Sequence, residues 1–273
     1  MSRIVSLSAL TVLELPPPAL VTCAADAGYT HVGVRLIPAT PTEPSYATIG
    51  DTPLIRDTLA RLADTGIGVL DVEILRLKPD TQVADFAPVL ETAARLGARN
   101  ALVAGNDPDA ARFIDNFAAL CDLAAPYGIA PCVEPMPWTD VRSFAQGAEA
   151  VRQVARPNAG LLIDAIHFDR AGSVASEIPG VPAAWLRYAQ ICDAPAERPR
   201  DLAGLLHQAR AERLLPGEGG LDLRGIFGAL PRDTPVSVEI PMERLAKSVP
   251  ALERARRALL ATQRLLHALP AGA

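Results

Sequence analysis

From one end of the 273-residue chain to the other, short β-branched runs alternate with longer Ala-, Leu- and Arg-rich segments of helical period. Strands are expected at Ile4–Ser6, His31–Ile37, Val69–Leu77, Ala101–Ala104, Ile129–Glu134, Gly160–Ile166, Tyr188–Cys192 and Val236–Ile240. Helices are expected between them, among others at Pro17–Ala27, Thr52–Thr65, Asp85–Leu96, Asp109–Tyr127 and Val249–Leu269. Gly28, Gly66, Gly97 and Gly128 stand where helix C-caps belong. Eight strand–helix units without a Pro-, Ser- or Gly-rich linker predict the α/β class and a single (β/α)8 TIM barrel, one domain over residues 1–273. A doubly wound sheet is the alternative. It would want a glycine-rich phosphate turn after the first strand, and SLSALTVLELPPPAL contains no glycine.

Composition narrows the function classes. The formal net charge is −5, which gives no electrostatic footprint for nucleic acid or for an anionic membrane surface. Of the 26 basic residues only Lys78 and Lys247 are lysine, a poor supply of Schiff-base nucleophiles. Cys23, Cys121, Cys132 and Cys192 form no CxxC pair, so zinc ribbons and dithiol redox motifs are not expected. The N-terminal segment reads as a first strand and a helix start rather than a secretory signal, and no apolar run reaches the roughly 20 residues of a membrane span. A soluble cytoplasmic protein is the expectation. Association into a homo-oligomer is compatible with the sequence but not specified by it.

In such a barrel the chemistry collects where strands end and βα loops begin. The fifth strand ends CVEPMPW and places Glu134, and the sixth ends LLIDAIHF and places Asp164, with His167 one turn on. The seventh ends YAQICDA and places Gln190 and Asp193; the eighth ends VSVEIP and places Glu239. Two glutamates, an aspartate and an amide oxygen at one height suit a divalent cation, with Mn²⁺, Mg²⁺ or Co²⁺ favoured. Zn²⁺ is possible but less favoured in a ligand set without histidine. Each residue alone reads equally as a satisfied buried polar group. Three buried carboxylates together would cost several kcal/mol unless a cation compensates them.

VEPMPW, IDAIHFDR, AQICDAP, LLPGEGGLDL and VSVEIP resemble the xylose isomerase-like barrel superfamily, in its sugar phosphate isomerase/epimerase branch. The resemblance lies in the second half of the chain. The first half shares the βα rhythm and the DVEILRL stretch. It implies Glu134, Asp164, Gln190 and Glu239 as metal ligands and His167 as a substrate contact. Where ketose 3-epimerase members usually carry His, this chain has Gln190, which looks more like the bacterial 3-dehydroshikimate dehydratases of the superfamily.

A cation that chelates a carbonyl and an adjacent hydroxyl stabilises the enolate left when the carbon between them loses a proton. Glu134, Glu239 and His167 are the expected acid–base groups, the two glutamates on opposite sides of a small polyhydroxylated carbonyl substrate. Returning the proton gives isomerisation or epimerisation; expelling a β-hydroxyl from a 3-dehydroshikimate-like or inosose-like ketone gives dehydration. Arg170, Arg210 and Arg213 are candidates for holding a carboxylate or phosphate at the mouth, against the alternative of solvated helix-surface arginines. Glu218 of the PGEG loop is a candidate substrate contact or a plain turn residue, and Trp138 and Phe168 are candidate pocket walls. Arg35, Glu73 and Arg76 are weaker pocket candidates, while His31, His207 and His267 read as structural or surface residues. A multi-metal phosphodiester hydrolase on this barrel would need more histidines than four and a basic face. A barrel keeping ions only for stability is the remaining alternative.

Overall fold

A computed structural model describes residues 3–269; the outermost residues of the expected 1–273 domain lie outside the described residues. Eight parallel strands close into a barrel in sequential order. They are β1 (Val5–Ser8), β2 (His31–Arg35), β3 (Gly68–Leu77), β4 (Asn100–Gly105), β5 (Ala130–Val133), β6 (Gly160–Asp164), β7 (Leu186–Ile191) and β8 (Val236–Val238). The ring closes where Val5, Ser6 and Leu7 of β1 pair with Val236, Ser237 and Val238 of β8. Around it run α1 (Pro17–Ala27), α2 (Pro53–Thr65), α3 (Ala87–Arg95), α4 (Ala110–Ala124), α5 (Phe144–Val154) and α6 (Ala165–Arg170). The ring continues with α7 (Leu202–Arg210), α8 (Leu223–Ala229), α9 (Glu243–Ala246) and α10 (Ala251–His267).

The strand period of two sorts residues between two cores. On β4, Ala101 and Val103 face the helices, while Leu102 and Ala104 face the barrel axis with Leu70, Leu162 and Tyr188. The outer core, between strands and helices, is much the larger, and each fully buried Leu, Ile or Val in it stabilises by roughly 1.5–3 kcal/mol. Gly33 of β2 is required by close approach, since a Cβ there would stand 2.8 Å from Asp71 Oδ1.

Polar residues at the loop–helix junctions set where helices start. Thr52 accepts from the Ile55 amide ahead of Pro53, Asp109 from that of Arg112, and Ser143 forms a capping box with Gln146. Thr52 and Asp109 are thus caps outside the helices rather than their first residues. The expected sixth strand is two residues too long for a related reason. The Asp164 carboxylate accepts the amides of Ile166 and His167, which ends β6 and opens α6. Among the described residues, no helix is long and apolar enough to cross a membrane.

Candidate metal and acid–base centre

Glu134, Asp164, Gln190 and Glu239 all lie at the C-terminal end of the barrel, each at most 3% exposed. Glu134, Asp164 and His167 each offer a ligand atom within 4.8 Å of the others. His167 Nε2 is 3.7 Å from Glu134 Oε1, beyond hydrogen-bond length, and its ring meets Trp138 edge-on at 4.8 Å. On the other side, Gln190 Nε2 donates to Glu239 Oε1 at 3.0 Å. The Ser8 hydroxyl, at the end of β1, lies 3.0 Å from the same oxygen and 3.2 Å from Glu73 Oε1.

Arg213 joins the two groups. Its guanidinium donates to Asp164 Oδ2 at 2.6 Å and to the Glu239 carbonyl at 3.2 Å, pairs ionically with Glu239 Oε2 at 3.0 Å, and its Nε donates to the Ala209 carbonyl at 2.7 Å. It is positioned by the loop after β7. There Asp193 accepts the amides of Ala194, Gly217, Gly219 and Leu221 at 2.8–3.1 Å, drawing the PGEG turn against the strand end.

Burial raises the Glu134 carboxyl well above its ordinary value, with Asp164 and Glu239 adding to the rise. Glu239 is pushed up to about 7 by burial, against the pull of Arg213 and with Glu73 and Asp164 adding to it. Burial acts in the same direction on Asp164, but Arg213, His167 and the α6 amide outweigh it and hold this carboxyl low. His167 is pushed down to about 4 by burial, so its imidazole is neutral near pH 7.

Buried polar atoms without partners mark what the centre lacks. Glu134 Oε1, Gln190 Oε1 and His167 Nδ1 have none. Three buried carboxyls crowd a single guanidinium, and without a further cation burial and mutual repulsion push two of them, Glu134 and Glu239, toward their protonated forms. The orphaned oxygens, the neutral imidazole and the crowded carboxyls fit a divalent cation beside Glu134, Asp164 and His167, with Gln190 and Glu239 on the adjoining strand ends. The imidazole removes the objection to zinc raised by a histidine-free set.

The other candidates separate. Arg210 lies 5.8 Å above the Trp138 ring and lines the same narrow cavity, of about 40 Å³, as Glu134, His167 and Glu239. Arg35 and Arg76 line it too. Arg170 does not. Its guanidinium is taken up by Gln208, Asp169 and the Pro195 carbonyl, and these contacts turn it away from the mouth. Glu218 is exposed at the tip of the PGEG turn, because the amides on either side of it bind inward to Asp193. Phe168 packs edge-on against Phe144 in the outer core. Ser8 and the central place of Arg213 are not evident from the sequence: a search of strand ends for carboxylates, imidazoles and amides passes over a serine, and Arg213 lies in a loop.

Residues 21–265 match the family model for the xylose isomerase-like TIM barrel. An inosose isomerase of Bacillus subtilis is 31% identical over 120 residues, 43% of this chain and 41% of that protein. A 3-dehydroshikimate dehydratase of Pseudomonas aeruginosa is 27% identical over 186 residues, 63% of this chain and 28% of that one. The chain thus spans less than half the length of either relative. Among solved structures, the IOLI protein with a bound zinc atom superposes with a TM-score of 0.80 at 23% identity, covering 98% of this chain and 99% of that one.

Proposed function

Because the chain belongs to the xylose isomerase-like TIM barrel family, we propose that it is a divalent-cation-dependent isomerase or epimerase that removes a proton α to a carbonyl on a small polyhydroxylated substrate. The observation that carries this reading is the crowding of three buried carboxyls around one guanidinium, beside the orphaned oxygens of Glu134 and Gln190. The zinc atom in the IOLI protein and the inosose named for the Bacillus subtilis relative are in keeping with it.

Glu134, Asp164, Gln190 and Glu239 hold the cation, with Mn²⁺, Mg²⁺, Co²⁺ and, given His167, Zn²⁺ as its candidates. When bound it supplies positive charge that stabilises an enolate oxygen. The chain's own groups move the proton. Ser8, Gln190 and Arg213 fix the Glu239 carboxylate from three directions, which orients it to take the α-proton. Neutral His167, beside Glu134, serves as hydrogen-bond partner to a substrate hydroxyl or as the group that returns a proton. Trp138 packs edge-on against that imidazole and lines the cavity.

A second reading, dehydration of a keto-cyclitol at the same site, is favoured by Gln190 and by the dehydratase relative. Incubation of the Mn²⁺-loaded protein with inosose and with 3-dehydroshikimate in D₂O separates the two. Deuterium at the α-carbon without loss of water supports isomerase or epimerase chemistry, and a new ultraviolet-absorbing conjugated product identifies the dehydratase. A metal titration that is unchanged by Glu134→Gln and Glu239→Gln would sink the four-ligand centre that underlies both.

A further inference from the structure

Four arginines line the inner cavity, and they fall into two pairs. Arg35 is paired with Glu43 and Glu73, and Arg213 with Asp164 and Glu239. Arg76 and Arg210 have no such partner: among the described residues, neither forms an ion pair. Arg76 donates only to neutral acceptors, the Asn106 side-chain oxygen at 3.0 Å and the Ala39 carbonyl at 3.4 Å. The Arg210 guanidinium stands over the Trp138 ring, 5.8 Å from its centroid. Both are half-buried. Burial lowers the pKa of each; Arg210 and Arg35 repel Arg76, and Arg35 repels Arg210. The carboxylates that attract them from a distance are engaged elsewhere or reserved: Glu43 accepts from Arg35 and the Ala39 amide, and Glu134 belongs to the acid–base centre.

Arg76 also stands on a boundary. Together with Ala39 and Ile74 it forms the wall shared by the inner cavity and an outer groove of about 550 Å³, where Lys78, one of the chain's two lysines, is found. Two guanidiniums, held near one another by an indole face and two neutral acceptors, offer a planar fork to an anion entering from that groove.

We propose that Arg76 and Arg210 form an anion subsite, and that the substrate is a polyhydroxylated carbonyl compound bearing a carboxylate or phosphate group. The proposal rests on the enolising centre proposed above only for the carbonyl part of the substrate. The inner cavity, of about 40 Å³, is too small for a six-carbon ring, which places the anionic group at the boundary with the outer groove. Neither Arg170 nor Arg213 takes part, since both are saturated by contacts within the chain.

The test is a calorimetric titration of the metal-free chain at fixed ionic strength, with Trp fluorescence as a second signal. The probes are inorganic phosphate, cyclohexanecarboxylate and neutral cyclohexanemethanol. At least one anion is expected to bind while the neutral alcohol does not, and the tighter anion tells carboxylate from phosphate. Arg76→Gln and Arg210→Gln are each expected to weaken binding about tenfold, whereas Arg61→Gln, on the exposed face of α2, leaves it unchanged. Thermal melts confirm that the variants are folded. Absence of binding by both anions, equal binding of the alcohol, or affinity indifferent to both substitutions overturns the subsite. A parallel Mn²⁺ titration separates the two ideas. Metal binding without anion binding removes the subsite and leaves the enolising centre; anion binding without metal binding does the reverse.

Discussion

Around β1–β3, Arg35 bridges Glu43 and Glu73; around β6–β8, Arg213 bridges Asp164 and Glu239. The two arrangements use the same residue types at similar distances, and they differ in what is left over. At the first, Glu43 has its side chain 12% exposed and takes a backbone amide, so its charge is answered by water and main chain. At the second, all the carboxylates are buried, Glu134 contributes a third, and oxygens of Glu134 and Gln190 have no partner. A guanidinium between two carboxylates is therefore no sign of function in itself. The buried carboxyls crowded around it beyond those it pairs are the informative quantity.

The largest effect expected from this difference is that of Arg213→Met. Removing the guanidinium leaves facing buried carboxylates and should lower the urea stability of the metal-free protein by about 3–5 kcal/mol, with saturating Mn²⁺ restoring much of the loss. Arg35→Met should cost about 3 kcal/mol by breaking its pair with Glu73, and Mn²⁺ should restore a smaller share of it, since Arg35 acts on Glu239 only at a distance. Equal rescue of both variants by the metal would abolish the distinction between the two halves.

Next comes Asp71, in the barrel between them. Burial, with Glu73 and Glu239 nearby, raises this carboxyl well above its ordinary value, and Tyr188 is its hydrogen-bond partner at 3.4 Å. A carboxyl whose folded-state pKa is raised contributes stability below its unfolded value of 3.8, and that contribution is lost as pH rises through the folded value. Asp71→Asn should therefore be more stable than the parent at pH 8, and the advantage should vanish toward pH 4. An advantage that grows on acidification would mean that Asp71 is held ionised. Ser8→Ala, which removes the hydroxyl shared by Glu73 and Glu239, should cost about 1 kcal/mol in the same assay. The smallest effect is reserved for the exposed helix pair Glu149–Arg152. Although Arg152 and Gln153 hold Glu149 down at about 2, Glu149→Gln should leave the melting curve within error at pH 7.

The barrel was legible because its signals are local. Glycines at helix ends, capping residues before helices and alternating apolar runs each act within a few residues, and errors are confined to strand and helix ends. Strand β6 is the clearest of these, since only a side-chain cap distinguishes its true end at Asp164 from two further apolar residues. The convergence of Glu134, Asp164, Gln190 and Glu239 was legible for the same reason: once eight strands are parallel, residues at their ends must share a rim. What each of them does there is the proposal. Arg213, Arg170 and Glu218 were not legible in this way. Their directions depend on contacts between parts of the chain far apart in sequence: Asp193 with the amides at 217–221, Arg213 with Asp164, and Arg170 with Gln208. Ser8 and Glu73 meet across 65 residues, and no spacing in the sequence announces that.

The Asp193 anchor has a practical consequence for labelling and library design. A single carboxylate gathers four amides, and a Cβ at Gly219 would come within 2.2 Å of the Ala194 carbonyl oxygen, so the outline of the turn is dictated by its backbone. The Glu218 side chain contributes nothing to that outline. Position 218 is thus an attachment point on a rigid stalk: a fluorophore or spin label placed there would report from beside the mouth of the barrel without loosening the loop that carries Arg213.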